Sequence, residues 1–167
     1  MTGFYENTVI CYSYSKSLSL PGERIGYLVI PDALKDSQEV FNAATIANRV
    51  MGAVNAPSLM QRVIKRCVDE NVNLEAYDRN RNLLYNGLRD LGFECIKPEG
   101  AFYLFLKSPE ADEKKFCASC KKYNILVVPG SSFACPGYVR ISYCVSYGQI
   151  ERSLPAFRKV AADYGLV

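Results

Sequence analysis

Apolar and polar positions alternate in short blocks along this 167-residue chain, and the blocks change period several times. Thr8-Val9-Ile10-Cys11-Tyr12 is a β-branched and aromatic run ending in a serine-rich turn, and it reads as a buried strand. Ile25-Gly26-Tyr27-Leu28-Val29-Ile30 reads as a second, stopped by Pro31. Asp32 to Asn42 has helical character, and Ala43 to Asn55 does too with less regularity, Gly52 weakening it. After the break at Pro57-Ser58, Leu59, Val63 and Cys67 fall on one helical face. Tyr77, Leu84, Leu88 and Leu91 then recur at helical spacing from Leu74 onward, with Gly92 as a C-terminal stop.

The last third returns to strands and helices in alternation. Phe93 to Ile96 and Ala101 to Leu106 predict strands around the turn Lys97-Pro98-Glu99-Gly100. Asp112 to Tyr123 predicts a helix, Ile125 to Val128 a strand closed by Pro129-Gly130, and Tyr138 to Cys144 a half-buried strand. Ser146 and Gln149 have the spacing of a capping box for a final helix, and Pro155 inside it is expected to kink it or start it afresh. A strand arrives within a few residues of Met1, so either it is an edge or an upstream part of its sheet is missing. The pattern as a whole is α/β, with the long helix after Leu74 placed to join two domains.

Composition narrows the chemistry more than the fold. Net charge is +3, from 20 basic and 17 acidic residues without a basic run, so there is no nucleic-acid footprint. No apolar stretch approaches the roughly 20 residues of a membrane span, and the amino terminus lacks a signal-peptide pattern. Seven cysteines without scaffold spacing fit a reducing compartment, and a cytoplasmic location is expected. There is no histidine. Ser-His, Cys-His and His-metal chemistry are therefore closed to this chain, and catalysis must run on lysine, tyrosine, cysteine, carboxylates or a cofactor. Cys117-Ala118-Ser119-Cys120 lacks a second pair for zinc and lies inside a helix beside Phe116, so it reads as core; no metal site is expected. Glu110 to Lys115 reads as a solvated helix start.

The segment Ser13-Tyr14-Ser15-Lys16-Ser17-Leu18-Ser19-Leu20-Pro21-Gly22-Glu23-Arg24-Ile25-Gly26-Tyr27 gathers hydroxyls, an amine and a guanidinium around one turn between two strands. Hydroxyls and a two-pronged guanidinium suit a phosphate monoester. A partly desolvated lysine suits a carbonyl group, and an aldehyde-bearing phosphate satisfies both. Further on, Tyr138, Arg140 and Ser142 share one strand face, while Val139, Ile141 and Tyr143 form the apolar face; Arg140 is left pointing to a cleft or to solvent.

S-x-S-K followed by G-x-R-x-G-Y, with arginine eight places after lysine, resembles the cofactor segment of fold-type I pyridoxal-phosphate-dependent aminotransferases, class I/II. The resemblance continues through Pro98-Glu99-Gly100-Ala101-Phe102-Tyr103, Pro129-Gly130-Ser131-Ser132-Phe133 and Val139-Arg140-Ile141-Ser142. It implies that Lys16 is the catalytic lysine holding pyridoxal 5'-phosphate as a Schiff base, that Ser13, Ser15 and Arg24 hold the phosphate, and that Arg140 grips the substrate α-carboxylate. It implies amino-acid and 2-oxo-acid substrates, a homodimer in the full-length enzyme, and no nucleic-acid or membrane partner. Residues 1–71 would be a remnant of the large cofactor-binding domain, and 72–167 the small C-terminal α/β domain. Family members are much longer, and the groups that meet the cofactor ring lie upstream of the lysine segment, so the chain alone is expected to bind cofactor weakly and not turn over. Asn48-Arg49 and Asn55-Ala56-Pro57-Ser58 lie where the family often lines the site or the dimer interface. Lyases and synthases of the same fold share the lysine and arginine and stay open as alternatives, as does a non-catalytic subunit-contact domain.

Overall fold

The computed structural model describes residues 3–167. They are α/β and divide into two compact units, 3–72 and 73–167.

The second unit is built on an antiparallel sheet of four strands in the order β3-β4-β6-β5, where β3 is Cys95–Ile96, β4 Tyr103–Lys107, β5 Val128–Pro129 and β6 Tyr138–Ser142. In its central pair Leu104 faces Ile141 and Leu106 faces Val139. Alternation does the rest: those side chains point to one face and are buried, while Tyr103, Phe105, Tyr138, Arg140 and Ser142 line the other, half-exposed. Three helices bury their stripes with that apolar face in one core: α4 (Leu74–Asp90), α5 (Glu113–Lys121) and α6 (Tyr147–Asp163), contributing Leu84, Leu88, Phe116, Cys120, Phe157 and Val160 among others. Each helix is capped by a side chain that accepts a first-turn N–H: Asn73 from Ala76, Asp112 from Lys114, Ser146 from Gln149. Gly92, at φ +81°, ends the α4 turn as expected from the sequence. α6 runs through Pro155 without starting afresh. Cys117 and Cys120 are buried, and burial pushes the Cys120 thiol up to about 12, as a core position would. Two strands are shorter than their apolar runs, because only Cys95–Ile96 and Val128–Pro129 find pairing partners.

The first unit begins with an antiparallel ribbon, β1 (Ile10–Ser13) and β2 (Gly26–Val29), paired Ile10 to Val29 through Ser13 to Gly26. Both strands were expected to be buried. All of their residues are exposed. Between them lies a one-turn helix, α1 (Tyr14–Ser17), too short for its period to be visible in the sequence. The two helical segments expected from Asp32 to Asn55 are one helix, α2 (Ser37–Val50). It starts late because Pro31 to Asp36 is a turn with Asp36 at φ +57°, and it ends at Met51 before Gly52, at φ +80°. α3 (Ser58–Cys67) follows. Its buried residue is Ile64, with Met60 and Cys67 beside it, so the inward stripe is displaced from the expected Leu59-Val63 face, which is exposed. Tyr14, Ile25 and Ile64 form the small core of this unit. Among the described residues, no helix is long and apolar enough to cross a membrane.

Candidate functional site

The lysine segment is a loop closed at its base. β1 delivers Ser13 in an extended conformation, and its hydroxyl caps α1 by accepting the Ser15 N–H at 3.2 Å. The Ser13 and Ser15 hydroxyls are themselves 3.0 Å apart. Lys16 follows on the same turn and is exposed, whereas the sequence suggested partial desolvation. The chain then passes through Pro21-Gly22 and returns with Arg24 in the left-handed region, at φ +50°, where its Nη1 donates to the Pro21 carbonyl at 3.0 Å. The Tyr14 N–H donates to the Ile25 carbonyl at 3.2 Å, tying α1 to the returning strand. Gly26 is required there, since a Cβ would collide with the Tyr12 carbonyl oxygen. Tyr12, Tyr14 and Tyr27 pack edge and face around this base, with centroids 5.0 to 5.8 Å apart.

The fold thus brings Ser13, Ser15 and Lys16 onto one turn and Arg24 onto the other limb of the same closed loop. Ser17, the next residue, has a buried hydroxyl with no hydrogen-bond partner among the described residues. Asn48, a candidate from sequence, closes the end of α2: its Nδ2 donates to the Val54 carbonyl at 2.8 Å and its own carbonyl accepts from Ala53 and Val54. At Ala56 to Ser58, Pro57 precedes the first turn of α3 and Ala56 accepts from Gln61.

Arg140 belongs to the second unit. Its Cζ lies 4.1 Å from the Tyr103 ring centroid and 3.5 Å from that of Phe133. Two aromatic faces against a guanidinium favour the cation and hold its plane, leaving the N–H groups at the rim to meet a planar anion such as a carboxylate. Phe133 comes from a 3-10 turn, Gly130–Phe133, between β5 and β6. Tyr103 is a diagonal cross-strand neighbour, since Arg140 pairs with Phe105 and Ser142 with Tyr103. Sequence reasoning named all three in separate motifs and did not bring the rings to the arginine: their approach depends on strand register and on a turn, and neither has a periodic signal.

Glu113 was missed as well. It falls in a stretch expected to be solvated but is buried, and its carboxylate accepts from the Gly137 N–H at 3.2 Å. The Ser131 hydroxyl, first, and then the Gly137 and Ser131 N–H groups hold that carboxyl below its ordinary range, against the opposing effect of burial. Asn80 continues the buried stripe of α4 and donates to the Tyr143 and Val145 carbonyls, anchoring the chain just beyond β6.

Comparison with known proteins places these features in one family. The family model for aminotransferase class I and II matches residues 3–157. An aromatic-amino-acid aminotransferase from Thermococcus litoralis is 31% identical over 100% of this chain and 44% of its own length. An aspartate aminotransferase from Bacillus subtilis is 34% identical over 92% of this chain and 41% of its own. Among solved structures, an amino transferase from Eubacterium rectale is 50% identical with a TM-score of 0.87, covering 98% of this chain and 41% of that one. The aspartate aminotransferase of Thermus thermophilus with maleate is 28% identical with a TM-score of 0.72, covering 92% and 41%. The chain therefore spans about two fifths of the length of the relatives it matches. With a match that runs through the lysine loop, Arg140 and most of α6, this chain belongs to the class I and II aminotransferase family.

Proposed function

We propose that these residues carry part of the machinery of a pyridoxal-phosphate-dependent aminotransferase: the cofactor loop in residues 1–71, from the large domain, and the substrate-carboxylate anchor in 72–167, the small domain. The observation that carries the proposal is the closed loop that sets Ser13, Ser15 and Lys16 on one turn and returns Arg24 on its other limb. The donor set fits the cofactor. Two hydroxyls and a guanidinium match a phosphate monoester, and an exposed primary amine matches an aldehyde.

Ser13, Ser15 and Arg24 would hold the phosphate, fixing the cofactor's position relative to the turn. When bound, pyridoxal phosphate supplies an electron sink for the pair left at the amino acid's Cα. The Lys16 amine would take the proton from the amino acid's Cα and return it at the cofactor's C4′ carbon. Arg140 receives the α-carboxylate in a two-pronged bond, and its rings limit how far the guanidinium can swing. Substrates are an amino acid and a 2-oxo acid, and the full-length enzyme works as a homodimer. The Thermococcus relative is named for aromatic amino acids and the Bacillus and Thermus relatives for aspartate, and the Thermus enzyme was solved with a dicarboxylate. Because the chain spans two fifths of its relatives' length, these residues alone bind cofactor weakly and do not turn over.

Borohydride reduction after incubation with pyridoxal phosphate tests the reading. The cofactor's mass should be fixed mainly on Lys16, and Lys16→Ala should abolish that labelling. Equal labelling across the surface lysines would sink it.

A further inference from the structure

The Arg140 site owes its shape to a loop, and one buried side chain ties down the end of that loop. Residues 130–137 begin with the 3-10 turn, in which Cys135 donates to the Gly130 carbonyl at 3.0 Å and Ala134 sits at φ +54°. A Cβ at Gly130 would collide with the Cys135 and Tyr138 carbonyl oxygens, so the loop folds back tightly on its own origin. Phe133 stands in the middle of this loop, with its ring 3.5 Å from the Arg140 guanidinium carbon. Glu113 comes from the first turn of α5, and its carboxylate accepts from the Gly137 N–H at 3.2 Å, after Phe133, while the Ser131 hydroxyl, before Phe133, lies close enough to lower that carboxyl's pKa. The Gly137 carbonyl is fastened in turn by the Ser108 N–H at 2.9 Å, just beyond β4.

From this we infer that Glu113 is a positioning residue for the carboxylate anchor: by tying down Gly137, at the end of the loop that carries Phe133, it presents the Phe133 ring to Arg140. The inference rests on the reading of Arg140 as a carboxylate-binding group. An ionised carboxylate suits the task because both of its oxygens accept, so it meets the Gly137 N–H whichever way it is turned. An amide of the same shape offers one acceptor oxygen instead of two and no charge, so its hold on the Gly137 N–H is weaker. The cost would fall on the loop, and through Phe133 on the orientation of Arg140, without removing any atom of the anchor itself.

The test uses the 167-residue chain with labelled arginine and maleate as probe. The Arg140 Nε–H resonance follows binding, and the Arg140 Hδ resonances report the ring current of Phe133 without any ligand. Glu113→Gln should weaken maleate binding about tenfold and abolish the ring-current shift, while amides of α4 and α6 stay unmoved. Ser131→Ala, which keeps the carboxylate, should do the same to a smaller degree and serves if Glu113→Gln does not fold. Phe133→Ala should weaken binding comparably, and the double variant should be no worse than Phe133→Ala alone, as for two residues acting through one contact. Additive losses, or an unmoved Arg140 Hδ signal in Glu113→Gln, would overturn the inference. Arg140→Lys separates the two layers. If it binds maleate as well as the parent does, the carboxylate reading fails, and the ligand-free ring-current shift alone decides whether Glu113 positions Phe133.

Discussion

The two units of this chain are packed to different degrees. The second buries a continuous core of twenty residues under three side-chain-capped helices. Among the described residues the first has a core of three, Tyr14, Ile25 and Ile64, with Leu34 buried apart from them; neither α2 nor α3 has a side-chain cap, and α2 buries nothing. At roughly 1.5–3 kcal/mol for each fully buried large apolar side chain, that difference far outweighs the differences in helix propensity. The first unit is nevertheless the more apolar on its surface. Tyr12, Tyr27, Leu28 and Val29 on the ribbon and Phe41, Ile46, Val50 and Met51 on α2 are all exposed. Hydrophobic patterning reports the burial a segment is suited to, and a chain spanning two fifths of its relatives' length need not supply the covering surface. The proposed carboxylate anchor thus stands on a scaffold that is complete in itself, whereas the proposed cofactor loop is held mainly by its own hydrogen bonds and tyrosines.

The sharpest way to break this contrast is native-state hydrogen exchange. Amides of β4 and β6 should exchange only through global opening of the second unit, whereas those of β1 and β2 should exchange at least about a thousandfold faster. Equal protection in the two sheets would contradict the comparison outright. Substitution sharpens it at single residues. Leu104→Ala, at a fully buried centre of the sheet, should cost about 2–5 kcal/mol in urea unfolding, while Ile46→Ala on the exposed face of α2 should stay within about 0.5 kcal/mol. The smallest effect concerns acid. Glu113 has its carboxyl lowered in the folded state, so its contribution is fully present above its unfolded value, near 4.5, and is lost as pH falls through the lower folded value. The unfolding midpoint of the second unit should fall in that window more steeply for the parent than for Glu113→Gln, and parallel curves would remove Glu113 as the cause.

Much of the second unit was legible from one sequence. Leu84, Leu88 and Leu91 kept helical period and are buried; Val139, Ile141 and Tyr143 kept strand period and are buried. Gly92 and Ser146 ended and began helices where their chemistry says they should. In the first unit the same rules misplaced burial on β1, β2 and the face of α3, because there little covers the surfaces that the pattern marks as apolar. The site divided in a similar way. Ser13, Ser15, Lys16 and Arg24 could be picked out because they are close in sequence and carry recognisable chemistry.

Local order along the chain therefore determined the α/β character, the helix ends of the second unit, the lysine loop and the face of β6 on which Arg140 stands. Periodicity and breaker residues act within a few positions of one another, so a single sequence records them. Tertiary structure alone decided that Tyr103 and Phe133 meet Arg140, that Glu113 is buried and holds the turn before β6, and that Asn80 anchors the chain after it. Each of those depends on strand register or on partners tens of residues away, and a polar residue inside a helix looks the same in sequence whether water or a buried N–H is waiting for it.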